Sequence, residues 1–397
     1  MNISKRINSI SASVTLAISA KAKQMKADGI DVVGFGAGEP DFDTPLHIKE
    51  AAKVAIDGGF TKYTPASGTL ELKTAVCKKL KEDNQLVYEP NEILISCGAK
   101  HSVFNAIVSL CSEGDEVIIP APFWVSYPEM VKSSGARAVV IPTKEESGFK
   151  VGSRQLDTSI TARTKLVILN SPSNPTGTVY TAQELKEIAD VLVRHNVFCI
   201  SDEIYEKIIY AGASHVSIAS FNDKIKKLTV VVNGVSKAYS MTGWRIGYLA
   251  AGQDVVKPMA NFQSHSTSNP TSISQKAALA ALEGDQECVN DMVKEFAKRR
   301  DYIVENLNAI GGISCFNPPG AFYVFPNIES FLGRKYKGVP IDGSLKLSEM
   351  LLEEAKVAVV PGVAFGQEGF IRLSYATSMK NIVEGVKRIK EFVNKLN

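Results

Sequence analysis

Between residues 92 and 252, short apolar runs rich in Val and Ile alternate with amphipathic stretches. The runs are 92–97 (EILISC), 115–119 (DEVII), 137–141 (RAVVI), 164–170 (TKLVILN), 197–203 (VFCISDE), 228–233 (LTVVVN) and 246–251 (IGYLAA). None alternates strictly between apolar and polar, so they read as strands covered on both faces. Helices fit residues 70–83, 100–112 and 181–195, the last opening with Thr181 and Glu184 as a capping box. Strand–helix alternation predicts an α/β fold with a mostly parallel, seven-stranded sheet, and ligands in such sheets bind at the carboxyl ends of the strands.

The chain changes character from residue 285 onward. A long helix over 285–309 is followed by Gly311-Gly312, strands at 313–316, 321–325, 357–360 and 370–375, and helices near 344–355 and 380–396. This pattern describes a smaller α+β domain. The expected division is an N-terminal arm over 1–14, a large domain over 46–284, and a small domain made of 15–45 plus 285–397. No low-complexity linker separates them, so the long helix is the expected joint.

Composition narrows the classes of function. Lys and Arg number 45 against 42 Asp and Glu, an excess of +3 with no basic aromatic stripe, which excludes a nucleic-acid footprint. Cys77, Cys97, Cys111, Cys199, Cys288 and Cys315 form no C-x-x-C pair and read as buried reduced thiols of a cytoplasmic protein. The five histidines show no metal-ligand spacing, so no metal is expected; His47 and His101 read as polar helix-start residues. The first 22 residues carry Lys5, Arg6 and an A-K-A tripeptide but no unbroken apolar run, which argues against a signal peptide. No stretch is long and apolar enough to span a membrane.

Six segments carry chemistry. Gly34, Gly36 and Gly38 in GFGAGEPDFDTP lack the spacing of a dinucleotide fingerprint, and Pro40 and Pro45 break the helix it needs. They read as a strand and turn with N–H groups open to a carboxylate, or equally as plain turn glycines. Gly98, Ala99 and Lys100 end one strand and open a helix, a setting that suits phosphate. NSPSNPTG, from Asn170 to Gly177, is a stiffened loop that aims the Asn174 amide. Asp202 ends an apolar strand, where an acid requires a cation unless it caps a helix, and Tyr205 can turn to the same ligand. Lys237, in SKAYSMTGWRIG, stands beyond another buried strand as a candidate amine nucleophile, with Ser236 before it and the planar fork of Arg245 after it. Arg372, within the apolar FIRLSY, meets a carboxylate: a ligand's, or one inside the protein.

Together these strings resemble the fold-type I, pyridoxal-phosphate-dependent aminotransferases of class I. GEPDFDTP, KYTPASG, the Gly98 turn, PFWVSYPEM, NSPSNPTG, SDEIYE, SKAYSMTGWRIGY, GAFYVFP, VAVVPG and IRLSYA occur in the family's order. Within the class the chain looks most like the bacterial and thermophile-type aspartate aminotransferases, some of which also act on prephenate. The resemblance implies that Lys237 forms a Schiff base with pyridoxal phosphate and then serves as acid and base. It implies that Asp202 pairs with the ring nitrogen, Tyr205 and Asn174 bond the ring oxygen, and Trp124 stacks on the ring. The backbone groups of Gly98, Ala99 and Lys100, with Ser236 and Arg245, would hold the phosphate, and Tyr63 would reach the phosphate of a neighbouring subunit, making a homodimer with interfacial active sites. Arg372 would clamp the substrate α-carboxylate with help from Asn174, Trp124 and the Gly38 backbone.

For the distal carboxylate, residues 261–275 (NFQSHSTSNPTSISQ) contain no arginine of the kind that other branches use. Lys100 stands where the thermophile-type branch places a lysine, and Thr15 and Ser13 lie where its K-P-S-A-T segment would be, here reading S-A-S-V-T. The expected activity is ping-pong transfer of the amino group of L-aspartate to 2-oxoglutarate, both small-molecule substrates. The alternatives are an aminotransferase preferring prephenate, aromatic or neutral amino acids, and a pyridoxal-phosphate β-lyase on the same scaffold.

Overall fold

The computed structural model describes residues 3–12, 14–210 and 212–397; Ser13, one of the two residues expected near the distal carboxylate, lies outside them. All seven expected strands form, and they form one sheet: β1 (Ile93–Ser96), β2 (Glu116–Ala121), β3 (Arg137–Pro142), β4 (Thr164–Asn170), β5 (Phe198–Asp202), β6 (Thr229–Gly234) and β7 (Gly247–Ala250). Their order is β1-β7-β6-β5-β4-β2-β3, and only β7 runs against its neighbours. Val117, Ile119, Ile168, Ile200 and Val232 fill one apolar layer, while Ile118, Val167, Leu169 and Cys199 fill the layer on the other face. The missing alternation in these strands therefore follows from burial on both faces.

The helices cover those faces. α1 (Leu70–Asn84) is capped by Thr69, whose hydroxyl accepts from Leu72 N. α2 (Ala99–Leu110) follows β1 directly, and α3 (Ala182–His195) opens with the expected capping box of Thr181 and Glu184. Residues 261–275, which lack the arginine, lie largely on the helices Gln253–Ser266 and Ser272–Glu283. There Gln263 serves the scaffold, donating to the Ile95 carbonyl at 2.8 Å and accepting from Ser96 Oγ at 2.9 Å.

The smaller α+β domain is built around α4 (Glu287–Asn308) and three short strands, Val360–Pro361, Ile371–Ser374 and Tyr323–Val324. Val33–Gly34 pairs in parallel with Val357–Ala358, so the segment before the large sheet packs with the end of the chain. α4 touches both cores: Val289 lies with Val76 and Ala278, while Phe296, Ile303 and Leu307 lie with Phe322 and Leu373.

Two expected strands differ. Residues 313–316 make a single bridge, between Ser314 and Asn327, because Asn308 at the end of α4 takes the Cys315 N–H and carbonyl with its side chain, at 2.8 and 3.1 Å. Residues 357–360 split between two sheets at Val359: Val357–Ala358 pairs with Val33–Gly34, and Val360–Pro361 pairs with the strand Ile371–Ser374. The cysteines also divide. All six are free, but only Cys111, Cys199 and Cys315 are buried. Cys77 and Cys288 sit on amphipathic helices and Cys97 at a strand end, where burial is partial. Among the described residues no helix is long and apolar enough to cross a membrane.

Candidate active site

Four strand ends point at one cavity of about 480 Å³, open between the sheet and the smaller domain. Its walls include Ala99 and Lys100 after β1, Asn170 and Asn174 after β4, Asp202 and Tyr205 after β5, and Ser236 and Lys237 after β6. Gly38, Trp124, Arg245 and Arg372 also line it, whereas Gly98 lies behind Arg245 rather than in the wall. Tyr63 is not brought there; it is 91% exposed.

At one end of the cavity, Gly98 caps α2 with φ +86, and a Cβ on it would lie 2.7 Å from Arg245 Cζ. Glycine is thus required for the guanidinium to reach the helix N-terminus. Arg245 itself is left-handed at φ 58, an uncommon state for a non-glycine residue. Its Nη1 donates to the Thr242 carbonyl at 2.8 Å and its Nη2 to the Cys97 carbonyl at 3.1 Å. These bonds hold it by carbonyls, beside the free N–H groups that open a helix, a setting that favours an anion.

In the middle stand an amine and an acid. Lys237 Nζ donates to the Gly38 carbonyl at 2.6 Å and lies 5.9 Å from the centre of the Tyr205 ring. Burial pulls its pKa down to about 8; Glu39 and Asp202 act against that, and Arg245 and Arg372 with it. Asp202 is buried, and its Oδ2 accepts from Tyr127 OH at 2.6 Å. Burial pushes it up to about 6, against the hydrogen bonds from Tyr127 and Ile204 N; Glu203 adds to the rise and Lys237 opposes it. Asp202 caps a turn rather than a helix, through Ile204 N at 3.3 Å, and makes no ion pair among the described residues. Tyr205 OH shares a 2.7 Å hydrogen bond with Tyr323 OH.

At the other end, Arg372 is 2% exposed and also forms no ion pair among the described residues. Nη1 donates to Asn174 Oδ1 at 3.0 Å and Nη2 to the Gly36 carbonyl at 2.7 Å, while Nε has no protein acceptor. The Tyr323 and Phe365 rings lie 4.7 and 5.1 Å from the guanidinium. No internal salt bridge to Arg372 forms among the described residues, and in the glycine turn the Gly36 and Gly38 carbonyls accept from Arg372 and Lys237. Asn174 is aimed by its loop, with its N–H on Asn170 Oδ1 at 2.8 Å and Gly177 N–H on the Ser173 carbonyl at 2.9 Å. Gly177 has φ +70, and a Cβ there would lie 2.6 Å from the Gly320 carbonyl.

Lys100 Nζ lies 5.0 Å from the Trp124 ring centre, its pKa lowered by burial and by Arg245. Trp124 packs edge-on to Tyr127 at 5.3 Å, and Thr15 lines the cavity with its hydroxyl unpartnered. The site residues missed from sequence are Tyr127, Tyr323 and Glu39. The first two lie inside the quoted PFWVSYPEM and GAFYVFP strings, so the strings were the only signal for them.

The cavity is thus cationic, with a buried acid lacking a cation and a buried arginine lacking a carboxylate. Relatives agree in kind. The chain is 48% identical to the aspartate aminotransferase of Bacillus subtilis (strain 168) over 396 residues, covering 100% of both. It is 47% identical to a probable aspartate/prephenate aminotransferase of Aquifex aeolicus, covering 99% of each. Its fold matches the crystal structure of the aspartate aminotransferase from Rhizobium meliloti with a TM-score of 0.96, at 45% identity and with full coverage of both chains. The family described as aminotransferase class I and II matches residues 30–389, and the chain belongs to that family.

Proposed function

We propose that this protein is an aspartate aminotransferase that uses pyridoxal phosphate to move the amino group of L-aspartate to 2-oxoglutarate. One observation carries the reading: a lysine amine, a buried acid without a cation and a buried arginine without a carboxylate face one cavity. Each deficiency matches one part of the cofactor or substrate. Asp202 suits a ring N–H, the glycine-backed Arg245 at the start of α2 suits a phosphate, Lys237 suits an aldehyde, and Arg372 suits an α-carboxylate. The names of the relatives support aspartate as donor.

When bound, pyridoxal phosphate supplies a carbonyl for the amine and a cationic ring that takes up the electrons of a broken Cα–H bond. The protein's own residues do the rest. Asp202, kept ionised by a cationic partner, holds the ring nitrogen protonated. Tyr205 and Asn174 offer hydrogen bonds to the ring oxygen, and Trp124 covers a ring face. The backbone groups of Gly98, Ala99 and Lys100, with the Ser236 and Arg245 side chains, would hold the phosphate. Arg372 grips the α-carboxylate through its two outer nitrogens, with Asn174 and the Gly38 backbone beside it. Lys237, with a pKa near 8, is both amine and ammonium around neutrality, so it can take a proton from the substrate carbon and return it elsewhere. Lys100 and Thr15 are the candidates for the distal carboxylate.

We also assign residues 46–284 to the large domain and 15–45 with 285–397 to the small one, and place the enzyme in the cytoplasm. A homodimer fits the surface: Leu46, Val54, Tyr63 and Leu70 are all more than half exposed along the edge that precedes the large sheet. Tyr63 would then act in the other subunit's site. The test is glutamate formation from 2-oxoglutarate with aspartate, alanine and phenylalanine as donors, and, in a separate assay, amination of a prephenate-type oxo acid with aspartate or glutamate as donor. Aspartate should lead; a leading aromatic or neutral donor would overturn the substrate assignment while leaving the reaction class.

A further inference from the structure

Behind the cavity, the segment that carries Asp202 and Tyr205 turns its other side chains into a buried charged cluster. Asp202 and Tyr205 face the cavity; Glu203 and Glu206 point into the protein, joined by a turn in which Glu206 N–H donates to the Glu203 carbonyl at 2.9 Å. Glu203 is 1% exposed. Its Oε1 accepts from Ser201 Oγ at 2.7 Å and Ser217 Oγ at 2.6 Å, and its Oε2 lies 3.1 Å from His215 Nε2. Ser201 and Glu203 thus flank Asp202 and lock to each other on the far side of the strand. Glu206 pairs with Lys79 from α1 and accepts from Asn84 Nδ2 at 2.8 Å. The His215 side chain is 8% exposed, with its Nδ1 unpartnered and its Nε2 3.9 Å from Glu206 Oε2.

Two carboxylates therefore face one lysine and one imidazole. We propose that His215 is a positioning residue for the reaction: as a cation on Glu203 it balances the charge directly behind Asp202, and so sets how strongly Asp202 holds the cofactor's ring nitrogen. The proposal rests on the reading of Asp202 as that nitrogen's partner.

The surroundings single out His215. It is faced by Glu203, Glu206 and Lys79; burial lowers its proton affinity, but the two carboxylates, led by the Glu203 hydrogen bond, raise it on balance. Tyr88, Tyr239, Tyr248 and Cys199 face the same carboxylates and are all pushed to higher pKa, chiefly by burial. Glu206 is held down at about 2; burial works against this, and Lys79 and His215 bring it about. Imidazole is the group in this cluster whose ordinary range lies nearest neutrality. Glu203 also acts on Asp202 directly, raising its proton affinity.

The experiment follows the visible absorbance of the protein loaded with pyridoxal phosphate from about pH 5 to 9. His215→Gln leaves Glu203 without its cation, so the spectral transition should move up by about half a pH unit. Glu203→Gln removes the negative charge, so it should move down by about as much. Ser217→Ala loosens the same cluster without changing charge and should leave the midpoint in place. A shared direction for the two charge variants, or no movement in either, would overturn the proposal, because a merely structural role shifts them alike. Where a variant does not fold, nitrogen NMR of the His215 imidazole in the wild type decides: a cationic ring at about pH 6.5 is expected, and a neutral one contradicts the proposal. Asp202→Asn serves as the control for the underlying reading. If it leaves the spectrum unaltered, the Asp202 assignment fails; if it alters the spectrum while the charge variants do not diverge, only the His215 proposal fails.

Discussion

The two sides of the segment over residues 202–206 handle charge in opposite ways. On the cavity side, among the described residues, Asp202 makes no ion pair with a cation and, across the cavity, Arg372 none with a carboxylate. On the inner side, Glu206 meets Lys79, and Glu203 meets His215 and two serine hydroxyls. Both sides are buried, and a buried charge without a counter-charge is costly. The inner charges are balanced by the protein itself. The cavity charges are balanced only when something is bound, and their arrangement describes what that is: a cationic ring, a phosphate and a carboxylate. Balanced charge is scaffold, and unbalanced charge is an unfinished binding site.

This contrast can be broken by substitution. Lys237→Ala removes the amine on which turnover depends and should lower kcat by more than about 10⁴-fold, together with the loss of the cofactor band attached to that lysine. Arg372→Leu should cost roughly 10³-fold in kcat/KM through the lost pair of charge-assisted hydrogen bonds, and Arg372→Lys should recover little, since an ammonium lacks the planar fork. Because Arg372 is an unpaired buried cation, its loss should leave the thermal midpoint of the cofactor-free protein equal to or above that of the wild type. Lys79→Met should do the reverse. It leaves Glu206 without its direct ion pair, with only the more distant His215 as a counter-charge, at a cost of up to about 3–5 kcal/mol of stability seen by denaturant unfolding. A stability loss in Arg372→Leu as large as in Lys79→Met would remove the distinction between the two sides.

The carboxylates sharpen it further through pH. Asp202 is raised from 3.8 to about 6, so its folded form prefers the proton. Stability linked to it is full below the unfolded value and falls as pH rises through about 6. Asp202→Asn should therefore make the cofactor-free protein more stable near pH 7.5, by roughly 2–3 kcal/mol, with the gap closing below about pH 4. Glu206 is lowered from 4.5 to about 2, so its contribution is full above the unfolded value and is lost as pH falls toward about 2. Unfolding curves across pH should show these two slopes with opposite sign. The smallest effect belongs to Lys100→Ala, which should raise the KM for aspartate about tenfold and that for alanine little. Equal changes for both donors would take the distal carboxylate away from Lys100.

The sequence made the cavity side legible and the inner side almost invisible. Strand ends followed by Lys237, Asp202, Asn174 and Gly98 stand out because each breaks an apolar run with a residue that needs a reason. The balancing groups give no such signal. Tyr127 reaches Asp202 across 75 positions, Tyr323 reaches Tyr205 across 118, and Asn84 reaches Glu206 across 122. Lys79 sits on an amphipathic helix, where a lysine reads as solvated surface, yet it is buried. The short strands after residue 310 were misjudged for a related reason. Their apolar character was right, but the Asn308 side chain and pairing with strands far away in sequence, such as Val33–Gly34, decide where their backbone bonds go.

The central claim is that the unbalanced cavity charges are completed by pyridoxal phosphate and an amino acid in a transamination. The direct measurement is a half-reaction: L-aspartate alone added to the cofactor-loaded protein, with products quantified against the concentration of Lys237 sites. The account predicts about one oxaloacetate per site, no free ammonia, and a cofactor left in its aminated form until 2-oxoglutarate is added. Continuous release of ammonia, or no oxaloacetate at all, would contradict it.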